Sequence, residues 1–259
     1  MSNSPTLEFI ETLAKKAGEI LRSGYGKQHE INHKGAIDLV TEIDYLSEAL
    51  ILQELRMAFP EHQIVSEESG AQHGSDCCLW YIDPLDGTVN YAHNIPFFSV
   101  SIAYQEGGEI QLGAVCDPLR QECFSAERGK GVWLNGEPIH VSQQTKLDQS
   151  LLVTGFSYDI RTRKENNLDN YARLALNSQG VRRMGSAALD LCYVAAGRFD
   201  AFWELSLSTW DIAAGGLIVE QAGGVVTNAQ GGPEYLASPQ SIIAANPHIH
   251  PQLQHMLNI

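Results

Sequence analysis

Leu7, Ile10, Leu13, Ala14, Ala17, Ile20 and Leu21 recur at helical spacing, so the chain opens with an amphipathic helix. Ser4 and Pro5 are read as its cap and first turn, and Gly24 as its end. Residues 25–43 are polar and glycine-bearing, a loop or ribbon. A second amphipathic helix follows from about Asp44 to Phe59, where Pro60 stops it. Gln63–Ser66 reads as a short strand. Leu79–Ile82 is a bulky apolar run with the composition of a buried strand, and it breaks at Asp83. Phe97–Tyr104, Glu109–Cys116, Gln121–Ala126 and Gly131–Leu134 are further strand-like runs. The turn signals between them (Glu106-Gly107-Gly108, Asp117-Pro118, Arg128-Gly129) make an antiparallel meander.

Past the polar stretch Ser142–Asp148 the pattern changes to alternation. Leu151–Thr154, Val181–Arg183, Phe199–Glu204, Val225–Thr227 and Ile242–Ala245 read as strands. Lys164–Asn177, Ala187–Ala196 and Trp210–Ala222 read as helices. The expectation is an α/β fold of layered α+β type: helices on a mostly antiparallel N-terminal sheet (1–145), then a smaller C-terminal α/β part (146–259).

Composition narrows the partners. A formal net charge of −14 without a basic stripe argues against nucleic acid and against an anionic membrane. No signal peptide is visible in Met1–Ile10 and no apolar run reaches membrane-spanning length, so a cytoplasmic protein is expected. Five cysteines without a C-x-x-C pair fit reduced structural thiols, although Cys116 and Cys123 can face each other across a hairpin. The histidines lack zinc-ligand spacing, and neither G-x-G-x-x-G after a strand nor G-x-x-x-x-G-K-[ST] occurs.

The candidate chemistry lies in Trp80–Asn90, W-Y-I-D-P-L-D-G-T-V-N. Asp83 and Asp86 sit at the end of a rigid strand, with Pro84 and Gly87 fixing the turn and Thr88 adding a hydroxyl. An Asp-Pro/Asp-Gly surface turn and a metal site both fit these residues. Asp44, near a helix N-terminus, fits capping and catalysis alike. If the strand continues past Ser66, alternation keeps Glu67 and Glu68 from both facing one site. Asp211 opens a helix whose next residues, Ile212-Ala213-Ala214-Gly215-Gly216, are small enough for a close approach to another element.

Together D-L-V-T-E-I-D (Asp38–Asp44), E-E-S (Glu67–Ser69), D-P-L-D-G-T (Asp83–Thr88), G-S-A-A (Gly185–Ala188) and W-D-I-A-A-G (Trp210–Gly215) resemble the inositol monophosphatase family of lithium-sensitive, magnesium-dependent sugar phosphatases. The motifs keep the family's order from Lys34 to Asn246. The resemblance implies a layered sugar-phosphatase fold and hydrolysis of a small phosphate monoester by water. Carried over by motif position, Glu67, Asp83 and the Leu85 carbonyl hold one Mg²⁺, Asp83, Asp86 and Asp211 a second, and a weaker third ion sits near Glu67. Mn²⁺ is an alternative. Thr88 with Asp44 orients the water, and Glu67 belongs with them among the catalytic residues. The phosphate meets N–H groups at Gly87 and Thr88. Gly185, Ser186, Ala187, Glu204, Asp211 and Arg182 contact the substrate, although Glu204 at a strand end also fits a solvated edge residue. The implied substrate is a phosphorylated polyol, with inositol 1-phosphate first and histidinol phosphate or fructose 1,6-bisphosphate as alternatives. A homodimer is implied by analogy, and a regulatory protein-binding role with vestigial activity is the reading from another class.

Overall fold

The computed structural model describes residues 4–29, 31–33, 39–164 and 166–257. Asp38, which opens the first motif, and Lys34 lie outside the described residues. Helix α1 spans Leu7–Gly24, and its cap is Thr6 rather than Ser4: the Thr6 side chain accepts from the Phe9 amide at 3.2 Å. A short ribbon pairs β1 (Ile31–His33) with β2 (Leu39–Thr41). Helix α2 (Glu42–Ala58) starts earlier than its apolar spacing predicts, because Thr41 caps it and Asp44 completes a capping box.

Eight strands form the larger sheet: β3 (His62–Ser66), β4 (Gly70–Gln72), β5 (Ser75–Asp86), β6 (Ser99–Glu106), β7 (Glu109–Asp117), β8 (Glu122–Glu127), β9 (Gly131–Leu134) and β10 (Glu137–Pro138). Their order is β10-β9-β8-β7-β6-β5-β3-β4, antiparallel throughout except for β3 beside β5. A short helix, α3 (Thr88–Ala92), follows β5. The second sheet runs β12-β11-β13-β15-β14, from β11 (Leu151–Thr154), β12 (Gly180–Arg182), β13 (Ala201–Leu205), β14 (Val225–Thr227) and β15 (Ser241–Ala245). Helices α4 (Leu168–Asn177), α5 (Ala187–Ala195), α6 (Thr209–Gln221) and α7 (His250–Met256) accompany it. The expected mixed architecture is present. Helix α7 and the short strands β4 and β10 were not anticipated, being too short to carry a periodic signal.

Strand alternation sorts the apolar residues into three cores. In β6 and β7, Val100, Ile102, Tyr104, Leu112 and Ala114 join α1 and α2, while Ala103 and Val115 join α5 and α6. In β13 and β15, Phe202, Ile242 and Ala244 join that same α5–α6 core, while Trp203, Ile243 and Ala245 join Leu174 of α4 and Leu253 of α7. The layers are therefore helix, sheet, helix, sheet, helix, with α5 and α6 between the sheets. Strands covered on both faces read as continuous apolar runs, as Ile102-Ala103-Tyr104 does.

Two expectations change. Cys116 and Cys123 are register partners across the β7–β8 hairpin, with Cα atoms 4.1 Å apart, and are joined as a disulfide. The reading of five reduced thiols is corrected for that pair, because antiparallel register sets the two residues directly opposite. The break at Asp83 is also softer than expected: β5 runs on to Asp86, with a register shift between Asp83 and Asp86. Among the described residues no helix is long and apolar enough to cross a membrane.

The small residues of α6 are there for contact. A Cβ on Gly215 would lie 2.7 Å from Leu191 Cβ in α5, and one on Gly216 would lie 2.6 Å from the Tyr235 hydroxyl oxygen. Helix propensity alone favours alanine over glycine by ~1 kcal/mol. Overpacking here outweighs it, so Gly215→Ala is expected to destabilise by about 1–3 kcal/mol in urea unfolding. A neutral or stabilising result would mean α5 and α6 are less tightly packed than described.

Candidate active site

The register shift in β5 shapes the site. The Leu85 amide donates to Asp83 Oδ1 at 3.0 Å across Pro84, and the Ser47 hydroxyl of α2 donates to the Pro84 carbonyl at 2.9 Å. Gly87 then adopts φ +96°; a Cβ there would meet the Phe97 carbonyl oxygen at 3.1 Å and that of Gly185 at 3.2 Å. Both its conformation and its surroundings thus favour glycine. The chain emerges at Thr88, whose Oγ1 lies 3.0 Å from Asp44 Oδ1 and 3.0 Å from the Leu85 carbonyl oxygen. A hydroxyl has one proton, so it satisfies one of these acceptors at a time.

Asp44 caps α2 and also reaches Thr88. Its Oδ2 accepts from the Thr41 amide at 2.8 Å and the Thr41 hydroxyl at 2.7 Å, closing the capping box, while Oδ1 faces Thr88. Burial pushes its carboxyl up to about 6, ahead of the opposing Thr41 and Thr88 hydrogen bonds. Asp44 sits behind Thr88 and does not itself line the cavity.

That cavity, of about 280 Å³, is lined by Glu67, Asp83, Leu85, Asp86, Gly87, Thr88, Gly185, Ser186, Ala187, Glu204 and Asp211, all singled out from sequence. Glu68 is not among the lining residues; β3 ends at Ser66, so the turn that follows it, and not strand alternation, separates the two glutamates. Asp86 and Asp211 are braced by backbone and hydroxyl donors. Asp86 accepts from the Ser186 hydroxyl and, at 2.9 Å, from the Ala188 amide at the start of α5. Asp211, in the first turn of α6, accepts from the Ser208 amide at 2.6 Å. Glu67 follows β3, where its amide donates to the Ile82 carbonyl at 3.1 Å. Glu48 of α2 accepts from the Ser66 hydroxyl and from the amides of Glu68 (3.2 Å) and Ser69 (3.1 Å), holding that turn.

Burial and mutual repulsion dominate the electrostatics. Asp83 is raised well above the usual carboxylate range by burial, then by Glu67, Asp86 and Asp211. Asp211 is raised by burial, Glu67, Asp86 and Glu204, against the Ser208 amide. Burial lifts Asp86 only to about 6, because Ser186 and the α5 amides oppose it. The side chains surround the cavity without converging on a point: among the described residues no three of His, Cys, Asp and Glu are gathered closely enough to hold an ion. Oxygens of Asp86 and Asp211 are instead turned to their bracing donors.

One expected contact is corrected. Arg183 lines the cavity and Arg182 does not: β12 ends at Arg182, and Arg183 belongs to the segment that leads on to the cavity residues Gly185–Ala187. Asp190 of α5, Gly155–Tyr158 after β11 and Ser206–Ser208 also line it and escaped the sequence reading. The signals were a lone aspartate in the apolar helix A-A-L-D-L-C-Y-V and a glycine directly after a strand. Gly155 has a steric reason, since a Cβ there would collide with the Glu204 carboxylate. Glu204 itself is buried, not the solvated edge residue its strand-end position also suggested.

Burial pushes Glu204 up to about 8, opposed by Arg183 and aided by Asp86. A carboxyl raised on folding favours the native state below its unfolded value of 4.5 and loses that contribution as pH rises toward 8. In chelator, wild type is therefore expected to lose thermal stability across this window more steeply than Glu204→Gln. Parallel pH profiles would remove Glu204 from the account.

The family model described as inositol monophosphatase family matches residues 2–258. Nus factor SuhB of Pseudomonas aeruginosa is 43% identical over 271 residues, covering 96% of this chain and 99% of that protein. The crystal structure of extragenic suppressor protein suhB from Bartonella henselae superposes with a TM-score of 0.90 at 39% identity, covering 95% of this chain and 96% of that one. Inositol monophosphatase from Anabaena (Nostoc) sp. superposes with a TM-score of 0.88 at 42% identity, covering 96% of this chain and 94% of that one.

Proposed function

Because this chain belongs to the inositol monophosphatase family, we propose that it hydrolyses a small phosphate monoester, with inositol 1-phosphate the foremost candidate. The observation that carries the reading is the cavity into which Glu67, the Asp83–Thr88 stretch and Asp211 are brought from three separate parts of the fold. Histidinol phosphate and fructose 1,6-bisphosphate are the alternative substrates.

The donor set fits hard divalent cations. It consists of carboxylates and the Leu85 carbonyl, an all-oxygen set that suits Mg²⁺ or Mn²⁺ rather than zinc. Raised carboxyl groups crowded in one buried cavity are the state that added positive charge relieves. Glu67, Asp83 and Leu85 would hold one ion, and Asp83, Asp86 and Asp211 a second, with a weaker third near Glu67. Bound there, such ions supply charge to the phosphoryl group and acidify water. Thr88 Oγ1 donates to Asp44 Oδ1 and presents a lone pair to the attacking water, so the pair orients it. The water oxygen bonds to phosphorus as the ester P–O bond breaks, and the leaving oxygen takes up a proton. Gly87 and Thr88 offer amides to the phosphate, while Glu204 with the Gly185–Ala187 segment reads the leaving group's hydroxyls.

The same proposal includes a division of labour, with 1–145 carrying most cation ligands and 146–259 contributing Asp211 and the leaving-group contacts. A homodimer without nucleic-acid or membrane partners, in the cytoplasm and sensitive to lithium, completes it. A second reading, a regulatory role with vestigial activity, rests on the name Nus factor carried by the Pseudomonas relative.

Phosphate release from a substrate panel with and without Mg²⁺ tests the proposal. Inositol 1-phosphate is expected to be turned over only with the metal, and Asp83→Asn to lose activity by orders of magnitude while staying folded. A folded wild type that releases phosphate from no substrate favours the regulatory reading. Thr88→Ala and Asp44→Asn are expected to be non-additive, the double variant losing little more than either single one. Additive losses in log kcat would mean separate roles.

A further inference from the structure

Asp190 sits within the apolar run of α5 between Leu189 and Leu191, both fully buried. It is 1% exposed, and its Oδ1 has no hydrogen-bond partner among the described residues. Leaving a buried acceptor unmade costs roughly 1–3 kcal/mol. The helix gains no cap from it: Ser186 performs that task, accepting from the Leu189 amide at 3.3 Å. Yet Asp190 lines the same cavity as Glu204, and the charges that bear on it are those of Glu204, Asp86 and Arg183. The Arg183 charge also bears on Glu204, so one cation faces two carboxylates. Asp190 thus brings to this end of the cavity an acceptor that no described residue satisfies.

We infer that Asp190 is a second reader of the leaving group beside Glu204, its orphaned carboxylate accepting from a hydroxyl that enters the cavity. The inference rests on the phosphatase reading above and extends it to a residue outside the motifs quoted from this sequence. A carboxylate turns about its own Cβ–Cγ bond, so either oxygen can be presented to the cavity. Two carboxylates in one small space suit a leaving group with neighbouring hydroxyls, each supplying one donor. They disfavour a leaving group bearing a second anion, and they gain nothing from a featureless aromatic one.

The test compares kcat/KM for inositol 1-phosphate and p-nitrophenyl phosphate, both with Mg²⁺, in wild type, Asp190→Asn and Asp190→Ala. The loss on inositol 1-phosphate is expected to exceed the loss on the aryl ester by about tenfold or more, as when a buried polar group loses its substrate partner. Equal losses on both would make Asp190 structural, and no loss on either would mean that a buried water satisfies it; each result overturns the inference. Asparagine is isosteric, and thermal unfolding of both variants separates a folding defect from a reading defect. Calorimetric binding of myo-inositol supplies a readout without turnover, expected to weaken in Asp190→Asn by a similar factor. A wild type that hydrolyses neither ester defeats the phosphatase reading, and the binding arm then decides Asp190 alone: unchanged or absent myo-inositol binding overturns it.

Discussion

Carboxylates that repel one another share a buried cavity, and the elements around it are arranged to tolerate them. Two such charges ~4 Å apart oppose each other by about 4 kcal/mol at an effective dielectric of 20. The bracing donors lessen this without cancelling it. Asp86 and Asp211 sit at the starts of α5 and α6, where a helix N-terminus favours an anion by roughly 0.3–1 kcal/mol. That is too little to offset burial, and both carboxyl groups remain raised. Under the proposed reading, bound cations would supply the positive charge that offsets the remainder, tying the site's chemistry to its stability.

The layers follow from the same arrangement. To bring Asp211 beside the end of β5, α6 must run between the two sheets and against α5. It does so with Ala213, Ala214, Gly215 and Gly216, and the sheet answers with Gly113, where a Cβ would lie 3.1 Å from Ala214 Cα. The Ser101 hydroxyl of β6 donates to the Trp210 carbonyl at 3.3 Å, linking the entry to α6 with the larger sheet. The core between the sheets draws on residues from both halves of the chain, including Val115, Phe124, Leu217 and Phe202. Packing that looks structural is what sets the distance between carboxylates far apart in sequence.

Much of this is legible in the sequence. An apolar run ending in two aspartates, a proline and a glycine can be read locally, because strand burial and turn chemistry are local. The small-residue face after Asp211 carried its meaning in composition. Other features depend on register and on what lies across a cavity. The choice of Arg183 over Arg182 turns on where β12 ends, and the Cys116–Cys123 disulfide on hairpin register. Gly155 could be seen as a glycine, but not as the space that Glu204 occupies. Asp44 left its two readings open because capping and the contact with Thr88 use different oxygens of one side chain. Asp190 was visible as an odd residue in an apolar helix, and only the fold gives it a cavity to face.

The most direct test of the central claim, that this cavity is built for divalent cations, is a titration of Mn²⁺ into chelator-treated protein, with free Mn²⁺ followed by electron paramagnetic resonance. The account expects at least two ions per chain, displaced by Mg²⁺, with a site lost in Asp86→Asn. A folded wild-type protein that leaves all the Mn²⁺ free would contradict it.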